Sequence, residues 1–437
     1  MPSPDLPART WPARLLGVRD GELAPTLAAL AMFFLLFAGY FMLRPVRETM
    51  GVAGGVRNLQ WLFTGTFVAT LAALPLFGWL ASRVRRRRIL PWTYAFFVLN
   101  LLAFAVSMAV DPGNVVIART FYIWLSVFNL LTISLAWSVL ADIFPADQAK
   151  RLFALMASGS SLGGLTGPIL GTLLVEPLGH AGLLVLSAVL LAGSAGAAAW
   201  LQGWRDRHPL AGGEAHLRSR PLGGNPFAGA TAVLHSPYLL GIASFVLLLA
   251  TASTFLYFEQ ARLVASTFPD QTRQTQVFGI IDIVVQALAL LTQFFFTGRL
   301  AQRLGVGVLL VAVPLVVAAG FLWLALAPVF AVLAVVMVVR RAGEYALVRP
   351  GREMLYTVVG AEQKYKAKNF VDTVVYRGGD AISGWAKHLI DLLGSHAGAA
   401  MLIGAGLALA WAGNGLLLGR AQRRREDAMQ AGSSNAP

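Results

Sequence analysis

Apolar runs long enough to cross a bilayer recur along nearly the whole sequence, separated by short polar turns. A helix of roughly 20 residues spans the hydrocarbon core of a membrane, which is about 30 Å thick. Because lipid offers the backbone no hydrogen-bond partners, each run is expected to be a helix, and the sequence lacks the alternating pattern of a membrane barrel. The composition agrees, since 57% of the residues are hydrophobic, 13% are charged and the mean hydropathy is +0.66. A water-soluble globule has too little polar surface to cover such a chain.

We predict an all-α polytopic membrane protein whose twelve transmembrane helices form two six-helix bundles. The predicted parts are a cytoplasmic N-terminal segment at 1–22, a bundle at 23–202, a cytoplasmic linker at 203–236, a second bundle at 237–419 and a basic cytoplasmic tail at 420–437. The twelve spans are predicted, in order, at Leu23–Leu43, Trp61–Ala81, Ile89–Val110, Val115–Leu140, Phe153–Leu174, Leu183–Leu201, Tyr238–Phe258, Gly279–Phe296, Val306–Ala327, Val329–Leu347, Asn369–Ile390 and Ala399–Leu418.

The positive charges indicate the orientation. The net charge is +14, and most Lys and Arg lie in the turns on one side of the predicted spans, in the linker and in the tail. Cytoplasmic loops carry such an excess. Both termini are therefore predicted to be cytoplasmic, in a multi-pass protein of the inner (plasma) membrane. The N-terminus shows no small-residue cleavage site and is expected to be retained. No basic helix or stacking platform accompanies the charge, so no nucleic-acid partner is predicted.

The sequence favours no enzyme, cofactor or metal. It contains no cysteine, and its six histidines are scattered without ligand spacing. Gly159-Ser-Ser161-Leu-Gly163 fits a hydrolase pattern, but it lies inside a predicted span, whereas that motif needs an exposed turn after a strand. No phosphate-binding loop is present. No catalytic residue is therefore predicted, and the expected partners are a small anionic substrate and the lipid bilayer, with the protein acting as a monomer.

The two halves match each other in places. At an offset of 215 residues, Arg47 falls on Arg262, Ala146–Gln148 on Ala361–Gln363, and Gly163-Gly164 on Gly378-Gly379. The halves have the same predicted orientation. This pattern predicts parallel repeats related by an axis along the membrane normal.

The turn after span 2 reads Gly78-Trp-Leu-Ala-Ser-Arg83-Val-Arg-Arg-Arg-Arg88, and a shorter copy follows span 8 at Gly298-Arg-Leu-Ala-Gln-Arg303. This turn resembles that of the major facilitator superfamily, Gly-x-Leu-Ala-Asp-Arg-x-Gly-Arg-Arg, with Ser82 in place of the acid and Arg85 in place of the glycine. The resemblance implies a twelve-span transporter in which these turns gate the cytoplasmic side. The implied gate residues are Gly78, Arg83, Arg86, Arg87, Gly298 and Arg303.

Two further resemblances concern single spans. In span 5, the run from Gly163 to Gly171 is similar to the antiporter signature of the same superfamily, and glycines repeat there every four residues. Such spacing also favours close helix packing, and the two interpretations are compatible. In span 1, the run from Tyr40 to Gly51 is similar to the branch related to ATP/ADP translocases, which exchange nucleotides.

Charged residues inside spans should face a cavity or a partner, because one at the bilayer centre costs on the order of 3 kcal/mol. In the resembled fold, spans 1, 4, 7 and 10 line the central cavity, and those spans carry the polar stripes. Arginines outnumber acids there, and the planar guanidinium suits carboxylate or phosphate. The predicted substrate-binding residues are Tyr40, Arg44, Arg47, Glu48, Arg119, Tyr122, Asn129, Glu259, Arg262, Arg340, Arg341 and Glu344.

Three acids in spans 8 and 11, Asp282, Asp372 and Asp380, are candidate ion-coupling residues. The alternative is that they neutralise arginines. The spacing of Arg377 and Asp380 predicts a pair within one helix, as does that of Arg340 and Glu344. Asp282 has no basic residue within a turn of its own span, so both interpretations stay open for it.

The sequence thus predicts a secondary transporter that moves an organic anion by alternating access, with nucleotide or phosphorylated-metabolite exchange as its specific form. One alternative is a proton-coupled exporter of hydrophobic or cationic compounds, which the span 5 signature suits. Another is a non-transporting membrane partner or sensor with a transporter-like fold. Buried arginines argue against that last alternative, because a scaffold gains nothing from them.

Overall fold

The computed structural model describes residues 21–83, 86–144, 146–208, 229–393 and 397–434. Within these ranges the chain is almost wholly helical and forms no strand. Four spans of the first half are separate helices, while spans 5 and 6 share one long helix. Their bounds are Leu23–Ala53 for span 1, Leu59–Arg83 for span 2, Arg86–Val110 for span 3, Val115–Ile143 for span 4 and Ala146–Arg207 for spans 5 and 6.

The second half begins with a short helix, Ala230–Leu234, followed by span 7 at Pro237–Thr267. Spans 8, 10 and 11 are each interrupted by a π-turn, in which the backbone bonds five residues apart. Span 8 comprises Gln271–Thr292, the π-turn Gln293–Thr297 and Gly298–Leu304; span 9 is Val306–Leu326; span 10 comprises Phe330–Gly343, the π-turn Glu344–Val348 and Arg349–Leu355; span 11 comprises Ala361–Phe370, the π-turn Val371–Val375 and Tyr376–Leu392; and span 12 is Ala397–Ser434.

These helices give the predicted twelve spans. Nine helices of the described chain are long and apolar enough to cross a membrane. The longest counts as two, because Gly179 adopts φ 67° and ψ 178° and breaks the helix between spans 5 and 6. Spans 10 and 11 complete the set, and their charged residues lower their apolarity. The fold is therefore the expected all-α membrane architecture.

Span 1 continues further than the end of its apolar run predicts. The expected end was Leu43, whereas the helix runs through Pro45 to Ala53. Charged residues do not interrupt a helical hydrogen-bond ladder when their side chains find partners, as those of this segment do. The helix ends where glycines permit it, with Gly55 at φ 99° just beyond.

The described chain forms two compact units. Of the described residues, those of unit 1 lie within 21–44, 77–112 and 128–208, and those of unit 2 lie within 45–76, 113–127 and 229–434. The later part of span 1, most of span 2 and the start of span 4 thus belong to the unit that contains the second half. The predicted linker at 203–236 lies mostly at 209–228, outside the described residues. The predicted domain boundaries remain predictions.

Unit 1 is built on close contact between spans 1 and 5. A Cβ added at Gly159 would lie 2.3 Å from the carbonyl oxygen of Leu30, and one at Gly167 would lie 2.6 Å from that of Ala38. The glycine face of span 5 therefore packs backbone to backbone against span 1. In unit 2 the corresponding spans also pack together, since a Cβ at Gly379 of span 11 would lie 3.0 Å from Leu247 of span 7. This correspondence agrees with parallel repeats.

Replacing Gly163 with alanine should destabilise unit 1. The added Cβ would lie 2.5 Å from the Phe34 carbonyl oxygen and 2.8 Å from the Ala38 nitrogen, so two backbones must separate. Overpacking of this kind costs about 1 to 3 kcal/mol. The measurement is the thermal unfolding midpoint of the purified protein. Gly196→Ala is the matched control, because its Cβ would meet no atom within 4 Å and alanine favours the helix. Equal midpoints for the two variants would contradict this packing.

Candidate substrate-binding site

Span 10 brings two guanidinium groups to one carboxylate. The Arg340 Nη1 lies 3.0 Å from Oε2 of Glu344, which confirms the pair predicted from their spacing. The same nitrogen donates a hydrogen bond of 2.7 Å to the Ser253 hydroxyl of span 7. On the other side of the carboxylate, Arg349 Nη2 lies 3.6 Å from Glu344 Oε1. Arg340 and Glu344 are both 9% exposed, whereas Arg349 is 56% exposed.

Span 11 adds a second ion pair beside the first. Arg377 Nη1 lies 3.7 Å from Oδ2 of Asp380, so the predicted pair is confirmed. The Thr254 hydroxyl of span 7 donates to Asp380 Oδ1 over 3.2 Å. The two ion pairs thus bond to adjacent residues of span 7, Ser253 and Thr254. We call Arg340, Glu344, Arg349, Arg377 and Asp380 the guanidinium cluster. Its three cations outnumber its two carboxylates.

The π-turn of span 10 explains how Arg349 reaches Glu344. In an α-helix each residue turns by about 100°, so residues five apart lie roughly 140° from each other around the axis. In a π-turn the residues five apart are hydrogen-bonded and lie one turn apart. Here the backbone N–H of Arg349 donates to the carbonyl of Glu344. Sequence reasoning missed Arg349 as a site residue because the α-helical period separates it from Glu344.

Arg341, the neighbour of Arg340 on span 10, pairs with Asp282 of span 8. Arg341 Nη2 lies 2.6 Å from Asp282 Oδ1, and the side chains are 8% and 4% exposed. Asp282 has no basic residue within a turn of its own span, and its basic partner comes from span 10. Arg341 is held by the protein itself. Its predicted substrate role remains a prediction, as does ion coupling by Asp282.

Arg47 is held by span 4 on several sides. Its Nε donates to the Tyr122 carbonyl over 3.2 Å, its Nη2 to the Ser126 hydroxyl over 3.3 Å, and its Nη1 to Glu48 over 3.0 Å. Its guanidinium carbon also lies 3.8 Å from the centroid of the Tyr122 ring. A Cβ at Gly51 would lie 2.9 Å from the Tyr122 ring and 3.2 Å from the Tyr257 hydroxyl of span 7. Arg47, Glu48 and Tyr122 therefore lie together where spans 1, 4 and 7 meet, and their binding role remains a prediction.

Other predicted site residues of unit 2 have local partners. Arg119 donates from Nε to the Gly54 carbonyl over 2.8 Å, at the end of span 1. Arg262 Nε donates to Oε2 of Glu259 over 3.1 Å. Asp372 lies 3.0 Å from Nη2 of Arg352. These contacts have structural roles, and the predicted binding and coupling roles remain predictions.

The predicted site residues of unit 1 lie among aromatic side chains. The Tyr40 ring centroid is 5.1 Å from that of Phe41 and 6.5 Å from that of Phe128. The Arg44 guanidinium lies 5.8 Å from the Phe41 ring centroid. Asn129 of span 4 is half-buried. The structure therefore gives Tyr40 and Arg44 an aromatic setting within unit 1.

The predicted gate residues are only partly described. Arg83 is exposed, and its guanidinium lies 4.7 Å from the Trp79 ring centroid. Gly78 is half-buried, and a Cβ at Gly298 would meet no atom within 4 Å. Arg303 is exposed. Residues 84 and 85 and the side chains of Arg86 and Arg87 lie outside the described part. The gate role remains a prediction.

Within unit 2, the end of span 1 and the start of span 2 contact spans from the second half of the sequence. We call these contacts the end contacts. The hydroxyls of Thr49 and Thr275 are 2.7 Å apart. Trp385 Nε1 donates to the Thr64 hydroxyl over 3.0 Å, and its ring centroid lies 4.8 Å from that of Trp61. Spans 1 and 2 are thereby joined to spans 8 and 11 at these ends.

The fold and motifs agree with a comparison to known families. Residues 26–350 match the family model described as Major Facilitator Superfamily. The chain belongs to this superfamily. It is accordingly an integral, multi-pass membrane protein and a transporter rather than an enzyme. No curated protein matches the sequence at a significant level.

Solved structures of other superfamily transporters share the fold. A bacterial homolog of the human lysosomal transporter Spinster, inward-facing and unoccupied, is 14% identical with a TM-score of 0.59, over 92% of this chain and 97% of that one. The nucleoside transporter NupG is 15% identical with a TM-score of 0.60, over 90% and 98%. A POT family transporter in complex with 5-aminolevulinic acid is 12% identical with a TM-score of 0.62, over 90% and 96%. At these identities the likeness is one of fold.

Proposed function

We propose that this superfamily member is a secondary transporter that carries an organic anion by alternating access. The observation that carries the proposal is the guanidinium cluster, where three arginines gather around two carboxylates on spans 10 and 11. Arginine binds carboxylate and phosphate through two parallel hydrogen bonds. Because its arginines outnumber its carboxylates, the cluster has a net positive charge that suits an anionic solute.

Arg340, Arg349 and Arg377 are the residues we propose to contact the substrate. Arg349 and Arg377 are 56% and 32% exposed, so a ligand can reach their guanidinium groups. Glu344 and Asp380 orient these groups when the site is empty. Arg47 and Arg341 have protein partners and support the site from spans 1 and 10.

The specific form of the proposal is exchange of a nucleotide or another phosphorylated metabolite. It rests on the similarity of the run from Tyr40 to Gly51 to nucleotide translocases. Tyr257 of span 7, half-buried beside Gly51 of span 1, is an aromatic group that suits a ring-bearing solute. We further propose that both termini are cytoplasmic in the inner membrane and that the protein acts as a monomer.

Counterflow into proteoliposomes tests this proposal. Vesicles loaded with ATP and diluted into labelled ADP should accumulate label, and vesicles with the same lipid but no protein should not. Inorganic phosphate and succinate, loaded and labelled in the same way, measure whether phosphate or carboxylate is sufficient. Uptake of succinate without counterflow of ADP would reject nucleotide exchange and retain an anion transporter. Failure of all three probes would reject the anion proposal.

The alternative is a proton-coupled exporter of hydrophobic or cationic compounds. The buried Asp380, bonded to Thr254, favours it, because a buried carboxylate is able to carry a proton. This alternative predicts that Asp380→Asn abolishes pH-driven efflux while Arg340→Gln has little effect. The anion proposal predicts a large effect of Arg340→Gln.

A further inference from the structure

The π-turns of spans 8 and 10 lie side by side. The side chain of Gln293 donates from Nε2 to the Tyr345 carbonyl over 2.9 Å. The Thr297 hydroxyl donates to the Ala346 carbonyl over 2.8 Å, and the longer 3.1 Å contact of the same hydroxyl is with the Thr292 carbonyl of its own span. Both donors belong to the π-turn of span 8, and both acceptors belong to that of span 10. Two side chains from the π-turn of span 8 therefore bond to the backbone of the π-turn of span 10.

These hydrogen bonds meet a need that the wider turn creates. Inserting one residue into a helical turn leaves a carbonyl of the ladder without its usual donor, and buried carbonyls require one. Thr297 is 8% exposed, and Ala346 is fully buried, so water is a poor substitute for the side-chain donor. Such donors favour a widened turn over a regular α-helix, in which each carbonyl already has a backbone donor.

The state of that turn decides which cations surround Glu344. Arg340 reaches Glu344 through the ordinary spacing of four residues, on the α-helical side of the turn. Arg349 reaches it only because the π-turn stacks residues five apart. In a regular α-helix Arg349 would lie about 140° around the axis from Glu344. Thr297 and Gln293 bond to the backbone of the turn that carries Arg349.

We infer that Gln293 and Thr297 are positioning residues of the transport site, which hold the span 10 π-turn and thereby keep Arg349 beside Glu344. The role in substrate binding rests on the proposed function. The role in holding the π-turn rests on the contacts alone. The two parts are therefore open to separate measurement.

The first measurement needs no substrate. Hydrogen exchange of the amides at 344–352 should become faster in Thr297→Val, which keeps the side-chain shape and removes the donor. Thr297→Ser restores a hydroxyl and should return exchange to the wild-type rate. Gln293→Met should act like Thr297→Val. Thr172→Val is the matched control, because that hydroxyl bonds within its own helix, to the Pro168 carbonyl over 2.8 Å.

The second measurement is transport of labelled ADP, or of labelled succinate where ADP is not carried. Loss of one hydrogen bond corresponds to about a 2- to 10-fold change in an equilibrium. We therefore expect Thr297→Val to raise KM by that factor with little change in maximal rate. In an Arg349→Gln background the same substitution should add nothing, because its effect passes through Arg349.

Three outcomes decide the inference. Unchanged exchange at 344–352 in both Thr297→Val and Gln293→Met would overturn it. If the rise in KM of the double variant Thr297→Val with Arg349→Gln equals the product of the rises in the two single variants, the positioning role is overturned. If no anion is carried but Thr297→Val speeds exchange and Thr297→Ser restores it, the π-turn support stands and the proposed function fails.

Discussion

Replacing Asp282 with asparagine is expected to lower the free energy of unfolding by about 3 to 5 kcal/mol, the usual result of removing one partner of a buried ion pair. Arg341 Nη2 lies 2.6 Å from Asp282 Oδ1, and both side chains are almost fully buried. The variant leaves the Arg341 charge without its carboxylate in a setting that water scarcely reaches. The measurement is unfolding of the purified protein in detergent at constant lipid content.

Two companion variants separate pairing from other effects. Asp427→Asn alters an exposed acid of the C-terminal helix and should leave stability nearly unchanged. The double variant Asp282→Leu with Arg341→Met removes both charges and should regain most of the lost stability, because apolar replacements of buried pairs are often neutral. A stable Asp282→Asn protein that had lost pH-driven transport would contradict the pairing role and favour ion coupling.

The second large effect concerns transport. Arg340→Gln should weaken apparent anion affinity by about 10- to 100-fold, since hydrogen bonds between charged groups contribute about 1.5 to 3 kcal/mol. Arg340 bonds to Glu344 and to Ser253, and it is the least exposed arginine of the guanidinium cluster. Its removal takes away a cation and breaks the shorter of the two ion pairs that Glu344 makes with Arg340 and Arg349. Concentration dependence of anion uptake in proteoliposomes measures the effect.

Arg299→Gln serves as the control, because Arg299 is exposed in the last helical segment of span 8, Gly298–Leu304, and does not belong to the cluster. Arg340→Lys keeps the charge but loses the planar fork, so it should fall between wild type and Arg340→Gln. Equal affinity in all four proteins would show that Arg340 does not bind the anion. A stability measurement on the same preparations separates weaker binding from loss of folded protein.

Much of the architecture follows from the sequence because membrane spans obey a simple length rule. The apolar runs located the twelve helices, and the glycines of span 5 predicted close packing that the contacts of Gly163 confirm. Spacings of three and four residues correctly predicted the pairs of Arg377 with Asp380 and of Arg340 with Glu344. These features depend on the spacing of residues along the chain, which is visible in a single sequence.

Other features depend on tertiary contacts or on departures from that periodicity. The Arg341 partner of Asp282 comes from another span, and nothing in span 8 indicates it. The π-turn that brings Arg349 to Glu344 breaks the α-helical period on which the site prediction relied. Span 1 continues past Pro45 because its polar side chains find partners on span 4, which the end of an apolar run does not reveal.

The end contacts differ from the guanidinium cluster in how they should respond to electrolyte. The hydroxyl pair of Thr49 and Thr275 and the indole contacts of Trp385 involve neutral groups. Salt screens interactions between exposed charges, and Arg349 is one such charge. Raising ionic strength should therefore weaken anion capture at the cluster while leaving the junction of Thr49 with Thr275 intact. A change in ionic strength should therefore alter solute binding while the contacts between these helix ends stay the same.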